Sequence, residues 1–433
     1  MATWIPSRAT VERYKCFRQD ATLTIRPLTL LFGENNAGKS ALLRLMRVLA
    51  DSTERGLPSG LSSEALREAN FKHLRSKPVR DNEPRSFEFA LSWDDPAAPL
   101  RGLRLCFGED PARSDGALMV RELEATLADG LGVDLVHKPL PAREDGARLY
   151  AGRRGDEEGY ILWEGLVPVA RDEPFPGPWS GALQIIGSSL GKWRGRVAWL
   201  CATRVPPQRL AKVKPPPQRP LLPDGSNAAD FLEASRELRA ACNRFLEPHL
   251  ERSVGIQLHD LPTGRLYRTL LGSTAESPEP VDVDVLDAGE GPIHLLPVLL
   301  ALEQLRMADA KGEARALLIE EPEAHVHPSL QRNLAEHIAG LAAGLGESRL
   351  IIETHSEHLL AGVQLQIARG ALKPSDVALH WVGASDEPGM SEVFLAELDE
   401  EGRPSGLWPS GVFGDVSQVA REILKARRER GAR

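Results

Sequence analysis

Residues 32–43 read FGENNAGKSALL, and within them Gly33, Gly38, Lys39 and Ser40 stand in the spacing G-x-x-x-x-G-K-[ST]. That spacing suits a nucleoside triphosphate. Backbone N–H groups of a glycine loop curl around phosphate oxygens, a lysine brings a point charge to the outer phosphates, and a serine hydroxyl helps to hold Mg2+. A second stretch, LLIEEPEAHVHP (317–328), ends an apolar strand in Glu320 and Glu321. Adjacent buried carboxylates repel each other and lose hydration, so they need a cation or a task. Glu320 is expected to hold Mg2+, and Glu321 to polarise an attacking water.

Two further stretches fit the same chemistry. In LIIETHSEH (350–358), His355 follows an apolar strand and can donate to a terminal phosphate oxygen. In DAGEGPIHLLP (287–297), Gly289 and Gly291 lead into a helix start, a natural anion site. Each stretch has a plain alternative: a glycine turn, a solvated acidic turn, a structural histidine, a Gly-Pro helix start. Their combination favours nucleotide chemistry. His325 and His327, with Glu323, raise a metal reading, but their spacing matches no strong zinc pattern. A role at a dimer contact is the favoured expectation for them.

The elements that must position these residues are legible in the patterning. Residues 9–32 alternate as strands, and the last of them runs into the glycine loop. ALLRLMRVLA after Lys39-Ser40 is apolar at helical spacing. Strands are expected at 86–93, 100–107 and 117–127, a Pro-dense connection at 205–223, and a helix over 226–250. From 281 onward, wholly apolar short strands alternate with helices, which predicts a parallel sheet covered on both faces. Ligands of such sheets bind at the C-terminal strand ends. The expected division is an N-terminal lobe with the glycine loop at 1–127, an inserted α+β or helical lid region at 128–280, and a C-terminal lobe at 281–433.

The chain has 433 residues, 42% of them hydrophobic and 26% charged, enough for one large or two modest cores. A formal net charge of −8 argues against indiscriminate duplex binding. Four dispersed cysteines, the absence of an apolar leader, and no run long enough to span a bilayer predict a cytoplasmic chain with no membrane contact.

Taken together, the motifs resemble the ABC-type ATPases, in the prokaryotic branch with SMC/Rad-fifty-like heads and the OLD-type (overcoming-lysogenization-defect) ATPases. RYKCF…LTLLFGENNAGKSALL is similar to that branch's first strands and Walker A, LLIEEPEAHVHP to its Walker B with D-loop, IIETHSEHLL to its switch-histidine segment, and DAGEGPIHLLPVL stands at its signature position. The resemblance implies an α/β P-loop NTPase with a mixed, largely parallel sheet flanked by helices. It assigns ATP and Mg2+ to Gly33, Asn35, Asn36, Ala37, Gly38, Lys39, Ser40 and Ala41, with Lys15 touching phosphate or base. Glu320 becomes the Walker B acid, Glu321 the catalytic glutamate and His355 the switch histidine. Gly289 and Gly291 would face the triphosphate of an opposite subunit.

Two departures stand out: Pro292, Ile293 and His294 follow the signature glycines, and no Gln occurs between Gln19 and Gln184. Both argue for slow turnover. The implied partners are a second copy of the chain, in an ATP-sandwiched pair, and a separately encoded effector, as in anti-phage defence. A DNA clamp of repair is the alternative, with Arg153, Arg154, Lys192, Arg194 and Arg196 as its basic groove. A fused nuclease and a transporter motor are disfavoured.

Overall fold

The computed structural model describes residues 4–409 apart from 55–59, 78–83, 111–115, 131, 138–147, 155–156, 165, 169–179, 216–219, 263, 275–280 and 406–407. In chain order it opens with β1 (Arg8–Glu12), β2 (Ala21–Thr24) and β3 (Leu28–Gly33), then α1 (Lys39–Ser52) and the single turn α2 (Phe71–Leu74). A run of strands follows: β4 (Phe87–Ser92), β5 (Leu100–Glu109), β6 (Leu118–Leu127), β7 (Gly132–His137), β8 (Arg148–Arg154), β9 (Glu157–Glu164) and β10 (Val167–Pro168). Next come α3 (Ser180–Gly191), β11 (Val197–Leu200), β12 (Ala211–Lys212), α4 (Ala228–Ala234), α5 (Arg236–Leu250), the hairpin β13 (Arg252–Leu261)–β14 (Gly264–Ser273), and β15 (Val283–Asp284). The chain continues with α6 (Glu290–Ala310), β16 (Ala316–Glu320), α7 (Pro328–Ala343), β17 (Arg349–Glu353), α8 (Glu357–Ala368), β18 (Val377–Ala384) and β19 (Ser391–Ala396).

These strands build three sheets. The central one has the order β11-β16-β17-β3-β18-β19, parallel throughout except for β19 at one edge. A second, wholly antiparallel sheet runs from β10 through β4 to β1 and β2, and a small sheet joins β12 to β15. The boundary expected at 127/128 falls between β6 and β7, which pair in one sheet. Residues of the expected 128–280 insertion also supply β11, the other edge of the parallel sheet. Of the proposed basic groove, the side chain of Arg154 lies outside the described residues.

The central strands are apolar on both faces because both faces are covered. Leu31, Leu318 and Ile351 pack with α1 and the antiparallel sheet, whereas Leu28, Leu30, Phe32, Leu317, Ile319, Leu350 and Ile352 pack under α5, α6, α7 and α8. Helix α6, which contains the apolar run of 292–302, is buried nearly all round. Among the described residues, no helix is long and apolar enough to cross a membrane.

Local chemistry sets several helix starts. His327 caps α7 with Pro328 in its first turn, and the Ser356 hydroxyl accepts from Leu359 N to cap α8. The helix expected over 226–250 is broken, because the Ser235 hydroxyl accepts from Leu238 N and caps α5 separately from α4. The sequence does not announce the hairpin β13–β14 or the pair β18–β19: the polar, partly exposed positions of β13, β14 and β19 blur the two-residue alternation, and β18 is buried on both faces and shows none.

His380 lies fully buried in β18, opposite Leu31 of the loop-bearing strand, and its Nε2–H donates to the Thr24 carbonyl at 3.0 Å. Burial pushes its pKa down to about 4. An unfolded histidine titrates near 6.5, so between those values the unfolded chain binds more protons and stability is lost as pH falls. The stability difference between the protein and a His380→Gln variant should shrink by roughly 3 kcal/mol between pH 7 and pH 4. Urea titrations at the two pH values measure it, and an unchanged difference would refute the assignment.

Candidate functional site

The C-terminal ends of β3, β16 and β17 lie side by side, so the three loops that follow them meet. After β3 the chain takes the tight path that a phosphate loop requires. Gly33 has φ 149° and a Cβ there would sit 1.9 Å from the Val382 carbonyl oxygen. Gly38 has φ 98° and a Cβ would strike Cys16 and the Phe17 ring. Asn36 takes the left-handed region at φ 64°, which asparagine tolerates better than most residues. The loop wraps its own lysine: Lys39 Nζ donates to the Gly33 and Glu34 carbonyls at 3.1 and 2.6 Å. Burial holds this ammonium below its usual pKa, opposed by Glu353 and Glu321.

Lys15 and residues 34–41 line a groove of about 670 Å³ that Arg44, His73, Glu353 and the 389–391 turn complete. This volume is within the range of small-ligand pockets. A second cavity, of about 410 Å³, lies away from the loop, between α6 and β11. The chemistry is concentrated in the first. None of its described lining residues comes from the Gly289–Gly291 turn.

The sequence reading places the Mg2+ role on Glu320 and Ser40. In the structure, the Glu320 carboxylate is buried and held by Arg44 of α1 through two bonds of 2.5 and 2.7 Å. Trp199 Nε1 donates to the same carboxylate at 2.9 Å, and the Arg44 guanidinium stacks over the Trp199 ring at 5.1 Å. Burial alone would lower the Arg44 pKa, but the pair with Glu320 raises it. The acid that touches Ser40 is Glu353, a residue the sequence reading passed over: Ser40 Oγ donates to its Oε1 at 2.8 Å. Glu353 Oε2 is buried without a protein partner. Burial, with Glu320 nearby, pushes the Glu353 pKa up to about 7, against the Ser40 bond, Lys39 and Arg44. Strand alternation could have found it, since Glu353 shares a strand face with Ile351 toward α1.

Glu321 follows at the end of β16, half-buried and in the left-handed region at φ 43°. Its N–H donates to the Glu353 carbonyl at 2.8 Å, and its own carbonyl, like that of Glu320, accepts from Arg204. Strained backbone of this kind in a non-glycine residue is common at functional sites. His355 is exposed, its pKa lowered by partial burial and by Lys39. Its loop is fixed by Glu323, whose Oε1 accepts from Thr354 Oγ1 at 2.7 Å and His355 N at 2.8 Å. Glu323 and His327 are thereby committed to structure, and neither stands with His325 as a ligand set.

The Arg44–Glu320 pair carries a direct test. Arg44→Ala leaves a buried carboxylate unpaired, and such losses cost about 3–5 kcal/mol. Replacing both partners by apolar side chains, Arg44→Met with Glu320→Leu, should recover most of that loss. Denaturant titration of the single and double variants measures the coupling. A cost below about 1 kcal/mol for Arg44→Ala would show the pair to be solvent-compensated.

Comparison with known proteins gives one family profile over part of the chain and several distant structural neighbours. Residues 210–361, which contain the Gly289–Gly291 turn, β16 and the His355 loop, match the profile of a family described as AAA domain, putative AbiEii toxin, Type IV TA system. No curated protein matches the chain in sequence. Among solved structures, the chain is similar to an Smc head bound to the C-winged helix domain of ScpA, at 13% identity and TM-score 0.48, covering 92% of this chain and 98% of that one. It is also similar to the SMC head domain from Thermotoga maritima, at 12% identity and TM-score 0.41, covering 91% and 100%. A third is the Smc head with an extended coiled coil from Pyrococcus furiosus, bound to the C-terminal domain of ScpA, at 11% identity and TM-score 0.44, covering 97% and 99%. Likeness at that level bears on neither substrate nor partner. A glycine loop entering α1 with acid-ended parallel strands beside it is the arrangement of a P-loop NTPase fold, and residues 210–361, which carry the distal strand ends, match the AAA-domain profile.

Proposed function

We propose that the protein is an ATPase whose two copies close head to tail around ATP and thereby switch or scaffold a separately encoded effector. The observation that carries the reading is the groove at Lys39, Ser40 and Glu353, whose described lining includes nothing from the Gly289–Gly291 turn. A site built this way is complete only when another copy brings that turn to the triphosphate, and ATP then favours the paired state because only that state makes the trans contacts. The matched family's description names a putative toxin, in keeping with a role in anti-phage defence. The DNA-clamp alternative gains little, since Arg153 pairs with Asp134 and Arg194 donates to the Thr53 carbonyl.

The residues divide the work. The loop N–H groups and Lys39 bind and neutralise the phosphates, and Lys15 borders the same groove. Ser40 and Glu353 fit a divalent cation, because a hydroxyl and a buried, half-satisfied carboxylate converge there. When bound there, Mg2+ would supply positive charge against the triphosphate. Glu320, held by Arg44, positions β16, and Glu321 is the base that orients the water. His355 reports the terminal phosphate to the Glu323-braced loop.

Glu321→Gln should slow hydrolysis and let ATP-bound pairs accumulate. Sizing by light scattering in saturating ATP would show a dimer, with Lys39→Ala monomeric as the reference. A Glu321→Gln variant that stays monomeric would sink the pairing. Separately, Glu353→Gln should raise the Mg2+ concentration needed for half-maximal nucleotide binding by roughly tenfold while leaving the fold intact. An unchanged Mg2+ requirement would return the cation to Glu320.

A further inference from the structure

The first turn of α6 and the loop after β16 meet at a cluster that the nucleotide site does not use. Glu290 and His294 lie four residues apart on α6 and so share one helical face. His325 reaches them from the other segment because its backbone takes the left-handed region at φ 62°. Its Nδ1 lies 2.7 Å from a Glu290 carboxylate oxygen, and its ring stacks on that of His294 at 4.3 Å and 22°. The backbones are equally close: a Cβ on Gly291 would meet the His325 carbonyl oxygen at 3.4 Å. One ligand atom from each of the three side chains lies within 4.8 Å of the others.

Two features separate this cluster from an ordinary polar surface. His294 Nδ1 is buried and has no hydrogen-bond partner among the described residues. Two imidazoles and one carboxylate form the donor set of borderline divalent ions rather than of Mg2+ or Ca2+. Two ligands at i and i+4 on a helix, with a third from elsewhere, is a spacing that zinc sites use.

We propose that Glu290, His294 and His325 bind one divalent transition-metal ion, with Zn2+ the best fit. Bonds of about 2.0–2.1 Å in a tetrahedral arrangement place ligand atoms roughly 3.4 Å apart, which rotation of the exposed Glu290 and His325 side chains achieves. The fourth position opens to solvent. The ion would staple the glycine turn at the head of α6 to the loop after Glu321, two segments otherwise separate in sequence. The site stands on its own ligands and does not rest on the ATPase reading. If that reading also holds, the ion sits on the face that meets the partner's triphosphate.

The test uses the full chain without nucleotide and Co2+ and Zn2+ as probes. One Co2+ per chain should bind with visible d–d bands of a tetrahedral site and without the near-ultraviolet thiolate band that any of the four cysteines would produce. Zn2+ should displace it and raise the Tm. His325→Ala, an exposed position, and the more conservative His294→Gln should each weaken binding roughly tenfold or more, while Lys39→Ala should leave it unchanged. Loss of Zn2+ affinity in the histidine variants alone establishes the site whatever the fate of the ATPase reading. Absence of stoichiometric binding, a thiolate band, or affinity indifferent to both histidine variants would overturn it.

Discussion

Glu320 and Glu353 end neighbouring parallel strands in direct register, and their carboxylates are buried beneath the same helix. Two such charges cannot share a dry strand end unaided, because desolvation and mutual repulsion both act against ionisation. The fold answers each differently. Arg44, one turn into α1, makes a bidentate pair with Glu320, with the Trp199 ring beneath the guanidinium. Among the described residues, the Glu353 carboxylate receives only the Ser40 hydroxyl, and burial holds its pKa up to about 7. One carboxylate is thus fully paired, and the other keeps one buried oxygen without a partner among the described residues.

From that arrangement the loops become mechanically connected. Arg204 grips the carbonyls of Glu320 and Glu321 from the β11 side, and Glu321 N–H grips the Glu353 carbonyl. Glu323, buried with its pKa raised by desolvation, ties the loop after β16 to Thr354 and His355. A phosphate arriving at Lys39 therefore meets three strand ends already bonded to one another. Displacement of Glu321 or His355 would pass directly into the segment carrying His325, and through Glu290 to the head of α6. This is a chain of contacts with identifiable links, and each can be cut singly.

The glycine loop and the strands beside it are legible in the sequence. Gly33, Gly38, Lys39 and Ser40 specify a turn that few other sequences need, and the continuous apolar runs 316–319 and 350–352 could only be covered on both faces. The roles of individual acids were less legible. Glu353 reads in isolation as one polar residue ending a strand, and Glu320 as a free ligand, because the partner of each comes from a distant segment. His325 illustrates the same limit. Its neighbours in sequence, Glu323 and His327, are engaged in fixing the His355 loop and capping α7, while its neighbours in space are Glu290 and His294.

What the sequence by itself determined is everything that follows from local periodicity and backbone conformation. The loop needs its glycines, the helix after it needs its apolar face, and the paired acids need a strand end. Only the tertiary structure decided which acid meets which cation, because that depends on parallel register and on the face α1 covers. In β16 and β17 the two-residue alternation sends Glu320 and Glu353 to the same side, and hydrogen-bonded register sets them opposite one another. A one-residue slip of either strand would have turned its acid to the other face.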